Sequence, residues 1–289
     1  MDDLHSRVLL WYDDHARVLP WRDASASPWD VMVSEFMLQQ TPVTRVMPVF
    51  EEWMRRWPTP TDLAAASTGD AVRAWGRLGY PRRALRLHQA ATAIVSQHGG
   101  EVPSSHAALR ALPGIGDYTA AAVATFAFGQ RHAVLDTNVR RVLARTISGV
   151  ELPAKSITRA EREVAAALLP ERDAAAARWA VAVMELGALV CTAASPKCTV
   201  CPISDVCAWR SQGYPEYDGP TRRGQTYAGT DRQCRGTLLS VLRDSPEPVH
   251  RSRLEIAWAI EEQRSRCLAG LLEDRLAVSL AEDMFALPS

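Results

Sequence analysis

Four cysteines, Cys191, Cys198, Cys201 and Cys207, fall within seventeen residues in the spacing C-x6-C-x2-C-x5-C. Thiols this close in sequence must share a metal centre or pair as disulfides, and either outcome ties the chain around them into one compact loop. The chain holds six cysteines in all, so composition alone does not produce the run. The common zinc pattern, two short C-x-x-C halves with a longer gap between them, does not match. All-cysteine ligation on a single loop fits an iron–sulfur cluster better. Pro202, directly after the third cysteine, stiffens the turn between ligands. A disulfide-stapled tail is the alternative, but nothing else in the chain reads as secreted. Cys234 and Cys267 stand apart and read as ordinary buried or surface thiols.

A chain of 289 residues allows one large domain or two to three small ones. The formal net charge is zero, so any nucleic-acid surface must be a local patch rather than a global field. No apolar run reaches the roughly eighteen residues of a membrane span. Met1 to Arg17 carries charges throughout and has no signal-peptide core. A reducing cytoplasm, with nucleoid association if the source is bacterial, is the expected setting.

Helical signals dominate up to about residue 210. The apolar stretch Val31 to Leu38 reads as a buried helix after Pro28-Trp29. Further helices are expected over 70–77, over 81–98 ending at Gly99-Gly100, over 104–112 and 119–128, from Asp136 to about Thr146, and over 174–190. Strand signals are nearly absent, so this part is all-α. Residues 214–230, rich in Gly, Tyr, Pro, Arg and Thr, read as a linker. Beyond it, three short helices (233–243, 252–260, 264–272) and two strands (276–280, 284–287) with Glu282-Asp283 in the turn predict a small winged-helix-like module over 231–289.

Three constellations carry chemistry. Leu112-Pro113-Gly114-Ile115-Gly116 forms a tight turn between two helices. Its glycines permit positive φ and close approach, and amides opening the second helix suit a phosphate without reading base sequence. The alternative is an ordinary helix–helix turn. Asp136 immediately precedes a helix, so it reads first as an N-cap. Capping amides favour the carboxylate, and an ionised carboxylate on a rigid support is what an oxocarbenium-like transition state needs. Glu35 sits in Val31-Met32-Val33-Ser34-Glu35-Phe36-Met37-Leu38-Gln39-Gln40-Thr41. Burial in so apolar a helix disfavours its charged form and keeps it protonated near neutrality. An elevated acid beside an ionised carboxylate is the pairing that glycosidic cleavage uses. A buried Glu paired with arginine is the alternative. Gln39 and Gln40 offer amides for base edges or for a gap in a base stack.

The hairpin, the downstream Asp136 and the four-cysteine loop together resemble the helix-hairpin-helix DNA glycosylase superfamily. Ser34-Glu35-Phe36-Met37-Leu38-Gln39-Gln40-Thr41 and Leu19-Pro20-Trp21-Arg22 resemble adenine DNA glycosylases of the MutY type. The resemblance runs from about Leu9 to Trp209. It implies an all-α, two-lobed core over 1–213, with a helical barrel over 23–133 and a cluster lobe built from 1–22 and 134–213. That lobe would hold a 4Fe–4S cluster on Cys191, Cys198, Cys201 and Cys207. Double-stranded DNA containing adenine opposite 8-oxoguanine or guanine would lie across the cleft, with the amides of Gly114 and Gly116 on a phosphate. The flipped adenine would be protonated by Glu35 and the sugar cation stabilised by Asp136, with Tyr118 and Asn138 supporting the carboxylates. Gln40 would enter the duplex and Tyr80 would wedge beside the partner base; for Tyr80 a simple turn role after Gly79 is the alternative.

Related endonuclease III-type enzymes cut the strand with a lysine amine, which Schiff-base chemistry requires. Tyr118 occupies the corresponding position here, and Lys155 and Lys197 are the only lysines. Base removal without efficient strand cleavage is expected. The cluster is expected to order its loop, with Lys197 and Arg210 near phosphates. Two departures stand out. About sixty residues follow the linker, too few for the hydrolase-like domain that reads 8-oxoguanine in longer relatives. Thr137 stands where many relatives have glycine. Rival readings are a thymine or uracil mismatch glycosylase on the same scaffold and a non-catalytic iron–sulfur DNA-binding regulator. A monomer is expected, and no motif names a protein partner.

Overall fold

A computed structural model describes residues 2–219 and 227–289; Met1 and residues 220–226, the latter inside the expected linker, lie outside the described residues. In chain order the helices are α1 (Asp2–His15), α2 (Pro28–Leu38), α3 (Val43–Arg56), α4 (Pro60–Ala65), α5 (Thr68–Trp75), α6 (Arg82–His98), α7 (His106–Ala111), α8 (Asp117–Phe128), α9 (Thr137–Thr146), α10 (Arg159–Ala167), α11 (Asp173–Leu189) and α12 (Ala208–Ser211). There follow α13 (Asp231–Arg243), β1 (Val249–His250), α14 (Arg251–Ala257), α15 (Glu261–Glu273), β2 (Val278–Ser279) and β3 (Met284–Ala286).

Local chemistry sets many of these boundaries. Thr59 with Asp62, and Thr158 with Glu161, form reciprocal capping boxes that open α4 and α10. Asp136 caps α9 and Thr230 caps α13 through side-chain oxygens. Gly99, at φ 63°, closes α6 in the left-handed conformation that glycine tolerates best.

The chain divides into two compact units. The first comprises Met1–Val31, Ser104–Ala111 and Ile115–Thr221. Its core joins Val8 and Trp11 of α1 to Val139, Val142 and Leu143 of α9 and to Trp179, Val183 and Leu186 of α11, with Ile203 from the cysteine loop. The second comprises Met32–Pro103, Leu112–Gly114 and Arg222–Ser289. Here α4 and α5 pack on α6, and Trp53, Trp57 and Trp75 meet edge-to-face.

This division differs from the expected lobes. Helix α8, placed with the barrel at 23–133 on sequence, groups with the cysteine-bearing unit because it packs on α7 and α11. The C-terminal module groups with α2–α6 rather than standing as a separate body. Within the module the order is helix, strand, helix, helix, strand, strand, where three helices followed by two strands were expected; the additional strand is β1. Its sheet runs β1-β3-β2, antiparallel, pairing Val249 with Phe285 and Val278 with Ala286. Glu282 and Asp283 both adopt left-handed φ in the β2–β3 turn. Among the described residues no helix is long and apolar enough to cross a membrane.

Candidate active site and cysteine pocket

Glu35 lies on the buried face of α2, 6 % exposed, between Ser34 and Phe36 at essentially zero exposure. The helix ends at Leu38, and the chain turns through Gln39 and the exposed Gln40. Gln40 adopts φ 55°, a conformation that non-glycine residues seldom take. Tyr80, 49 % exposed, adopts φ 48° at the other candidate insertion turn. Both residues are therefore presented from tight, left-handed turns.

Arg83 joins these turns. It is 5 % exposed, and its guanidinium donates to the carbonyls of Phe36, Met37 and Gln39 at 2.8, 3.0 and 2.6 Å. It also donates to Thr41 Oγ1 and to the Gly79 carbonyl, both at 3.0 Å. The same cation lies over the Tyr80 ring at 5.5 Å and the Trp75 ring at 5.2 Å. Burial lowers its pKa to about 10, still charged at neutral pH. One side chain thus fixes the end of α2 and the Gly79-Tyr80 turn. Arg83 carries no sequence signal that separates it from its neighbours Arg82 and Arg86.

Asp136 belongs to the first unit. One of its oxygens accepts from the Val139 amide at 2.6 Å, and the other from Asn138 Nδ2 at 2.8 Å. Burial pushes the Asp136 carboxyl upward, and these hydrogen bonds only partly offset it. The capping amides favour the carboxylate as expected from sequence, and burial, which the sequence did not reveal, acts against them with the larger effect. Asn138 is itself held by Arg141, whose guanidinium donates to Asn138 Oδ1 at 2.8 Å and to the carbonyls of Gly187 and Cys191 at 2.6 Å. Tyr118, in the first turn of α8, packs against Ala121, Ala122, Val134 and Ala180.

The hairpin turn is anchored by buried Leu112 and Ile115, with Gly114 and Gly116 exposed between and after them. Gly114 takes φ 76°, and a Cβ there would lie 2.7 Å from the Arg86 Cβ. Gly116 differs from expectation: it is extended, at φ −95°, and caps α8 without a side chain. Its value is an open approach to the first amides of α8, since a Cβ would meet nothing within 4 Å.

Cys191, Cys198, Cys201 and Cys207 line one pocket, walled by Val142, Leu186, Val190, Ile203 and Trp209. All six cysteines are free, which removes the disulfide alternative. Among the described residues no three His, Cys, Asp or Glu side chains approach closely enough to grip a single metal ion. Four thiols lining one largely apolar pocket are a donor set suited to a thiolate-bound metal centre. Arg145 donates to Cys191 Sγ at 3.4 Å and to the Thr192 and Ala193 carbonyls at 2.7 and 3.1 Å. It also stacks on Trp209 at 4.7 Å. Burial raises the Cys191 thiol and pushes Cys201 up to about 11, so loading a metal must displace bound protons. Lys197 and Arg210 line the pocket mouth and are exposed.

A buried acid held by arginines is Glu185 of α11. It is fully buried and accepts from Arg17 at 2.7 Å and from Arg22 at 3.0 Å. Burial works against its charge, but the hydrogen bonds from Arg17 and Arg22 win and hold it at about 2. Leu19-Pro20-Trp21-Arg22 thereby serves as a structural tie: Leu19 and Trp21 are buried and Arg22 reaches Glu185.

A family model for HhH-GPD superfamily base excision DNA repair proteins matches residues 33–167. This span includes Glu35, Arg83, the hairpin and Asp136 and stops before the cysteine loop. An adenine DNA glycosylase of Mycobacterium tuberculosis is 53 % identical over 285 residues, covering 98 % of this chain and 93 % of that protein. A thymine-DNA glycosylase of Aeropyrum pernix is 32 % identical, covering 72 % of this chain and 95 % of its own. A solved structure of a thermostable thymine-DNA glycosylase matches 73 % of this chain and 96 % of that one, with a TM-score of 0.65 and 26 % identity. The class is therefore the helix-hairpin-helix base excision DNA repair superfamily. Within it, the chain belongs to the adenine DNA glycosylase family.

Proposed function

We propose that the protein excises adenine mispaired with 8-oxoguanine or guanine from double-stranded DNA, without cutting the strand. The observation that carries this reading is a buried Glu35 placed at the end of α2, next to the left-handed Gln40 turn. Gln40 and Tyr80 enter the stack, and the target adenine swings out of the duplex. Glu35 donates a proton to the departing base, turning a poor anionic leaving group into a neutral one. The C–N bond breaks as positive charge develops on the sugar, and the Asp136 carboxylate, oriented by Val139 and Asn138, opposes that charge. Water then supplies the new hydroxyl at the sugar. Tyr118, in place of a lysine, has no amine for a Schiff base. The Gly116-capped end of α8 offers backbone amides to a phosphate.

Cys191, Cys198, Cys201 and Cys207 would hold a 4Fe–4S cluster. When bound, such a group supplies a fixed inorganic node for the loop. Lys197 and Arg210 at its mouth favour the DNA backbone. Iron and sulfide analysis of protein purified without oxygen tests the assignment, with Cys198→Ser as the variant expected to lose both.

A single-turnover excision assay tests the reaction. Duplexes carry A opposite 8-oxoguanine, A opposite G, T opposite G or U opposite G, with and without alkali. Strand scission at adenine that needs alkali is the expected result. The 32 % identity to a thymine-DNA glycosylase keeps a mismatch-thymine reading as the competitor. Cleavage confined to T or U would establish it.

A further inference from the structure

The C-terminal module has no assigned role, and its own surface argues against reading DNA. Helix α15, which a winged-helix-like module would present to a groove, exposes Glu261, Glu262 and Glu273. Its arginines are engaged: Arg266 with Asp231 at 2.9 Å and Arg264 with Glu255 at 3.8 Å. Such a face repels phosphate.

The module instead grips the segment that carries Tyr80. Helix α5 ends at Trp75, and Gly76, Arg77, Leu78 and Gly79 lead to Tyr80. Arg243, the last residue of α13, donates to the Gly76 carbonyl. In exchange Arg73 of α5 donates to the Arg243 carbonyl, and to that of Ser245 at 2.8 Å. On the far side of Tyr80, Arg82 pairs with Asp274 at 3.2 Å, and Asp274 is fixed within the module by Arg235 at 2.5 Å. The seam is closely fitted: a Cβ on Gly69 of α5 would lie 2.2 Å from the Pro288 carbonyl oxygen. The module thus holds the chain four residues before Tyr80 and two residues after it.

We propose that the C-terminal module is a positioning element for Tyr80, with Arg243 and Asp274 fixing the two flanks of its turn. This rests on the reading that Tyr80 enters the duplex beside the mispair. Tyr80 is held at φ 48°, a conformation a free turn would leave. Arg83 grips Gly79 from within the unit, and Arg243 and Asp274 supply the restraint from the module. The module acts on excision without touching the base that leaves.

The test is a double-mutant cycle in the full chain. Arg243→Met with Asp274→Asn removes both grips while keeping side-chain volume. Tyr80→Ala removes the group they are said to position. Single-turnover excision on A opposite 8-oxoguanine is read together with 2-aminopurine fluorescence placed opposite the insertion point. The grip variant should lose about tenfold in rate and most of the unstacking signal in the wild-type background. In the Tyr80→Ala background the same two changes should cost less than about twofold. Arg243→Lys, which keeps the cation, should recover part of the loss, and thermal unfolding identifies a variant that fails to fold. Equal losses in both backgrounds would overturn the proposal, since a general structural defect is additive. An unaffected grip variant beside an impaired Tyr80→Ala would overturn the module's role alone. A Tyr80→Ala enzyme with full rate and signal would overturn both the insertion reading and this proposal.

Discussion

The two candidate carboxylates stand in different local settings. Glu35 lies in the last turn of α2, beside Met32, Val33, Phe36 and Met37, all essentially fully buried. Asp136 sits at a helix start, where an amide, Asn138 and, behind it, Arg141 surround it with polar partners. A packed site controls water; a capped site controls direction. A proton donor needs the first and a charge opposing a sugar cation needs the second.

The strongest attempt to break this contrast is substitution of each acid by its amide. Glu35→Gln should reduce single-turnover excision by about a thousandfold with DNA affinity retained, as measured by titration of a labelled duplex. Asp136→Asn should lose a similar amount, about a thousandfold, while thermal unfolding shows no loss of stability. Asparagine caps helices well, and the substitution removes a carboxylate that burial disfavours.

Glu185 sharpens the comparison from the stability side. Replacing it with Gln keeps one acceptor oxygen but removes the charge and turns an amide NH2 toward the guanidinium groups of Arg17 and Arg22, and should cost about 3 kcal/mol in denaturant unfolding. The pH dependence has a definite sign. Glu185 is held at about 2 against an ordinary 4.5, so its contribution is present above 4.5 and is lost as pH falls toward 2. Glu185→Gln should flatten that limb. Asp136 runs the other way: its raised pKa favours the fold below its ordinary 3.8, and that contribution fades as pH rises. The advantage of Asp136→Asn should therefore grow from acid to neutral pH.

A smaller effect is expected at Arg83. Arg83→Met abandons the carbonyls of Phe36, Met37, Gln39 and Gly79 and should cost about 2 kcal/mol. Its signature is earlier hydrogen exchange in residues 37–41 and 78–81 than in α9. Uniform loosening of both units would contradict a local role.

Candidate residues proposed to act through their own chemistry were legible in the sequence as candidates. Glu35 in an apolar run, Asp136 before a helix and four clustered cysteines each announce themselves by type and neighbours. The helices around them followed from periodicity and caps, with most ends within a few residues. Residues that act by reaching other segments were not legible. Arg83, Arg141 and Arg145 spend their donors on carbonyls distant in sequence, and a carbonyl has no letter. Glu185 was hidden in an alanine-rich helix whose arginine partners lie more than 160 positions away. Likewise β1, two residues long, exists because β3 lies beside it.

The left-handed turns at Gln40 and Tyr80 bear on how this protein would respond to breeding for heat tolerance. Glycine at either site would relieve backbone strain of about 1 kcal/mol. A screen that rewards only survival of the fold at high temperature would drift toward glycine at both places. Its winners would be hardy proteins stripped of the side chains with which, on the reading above, the duplex is opened.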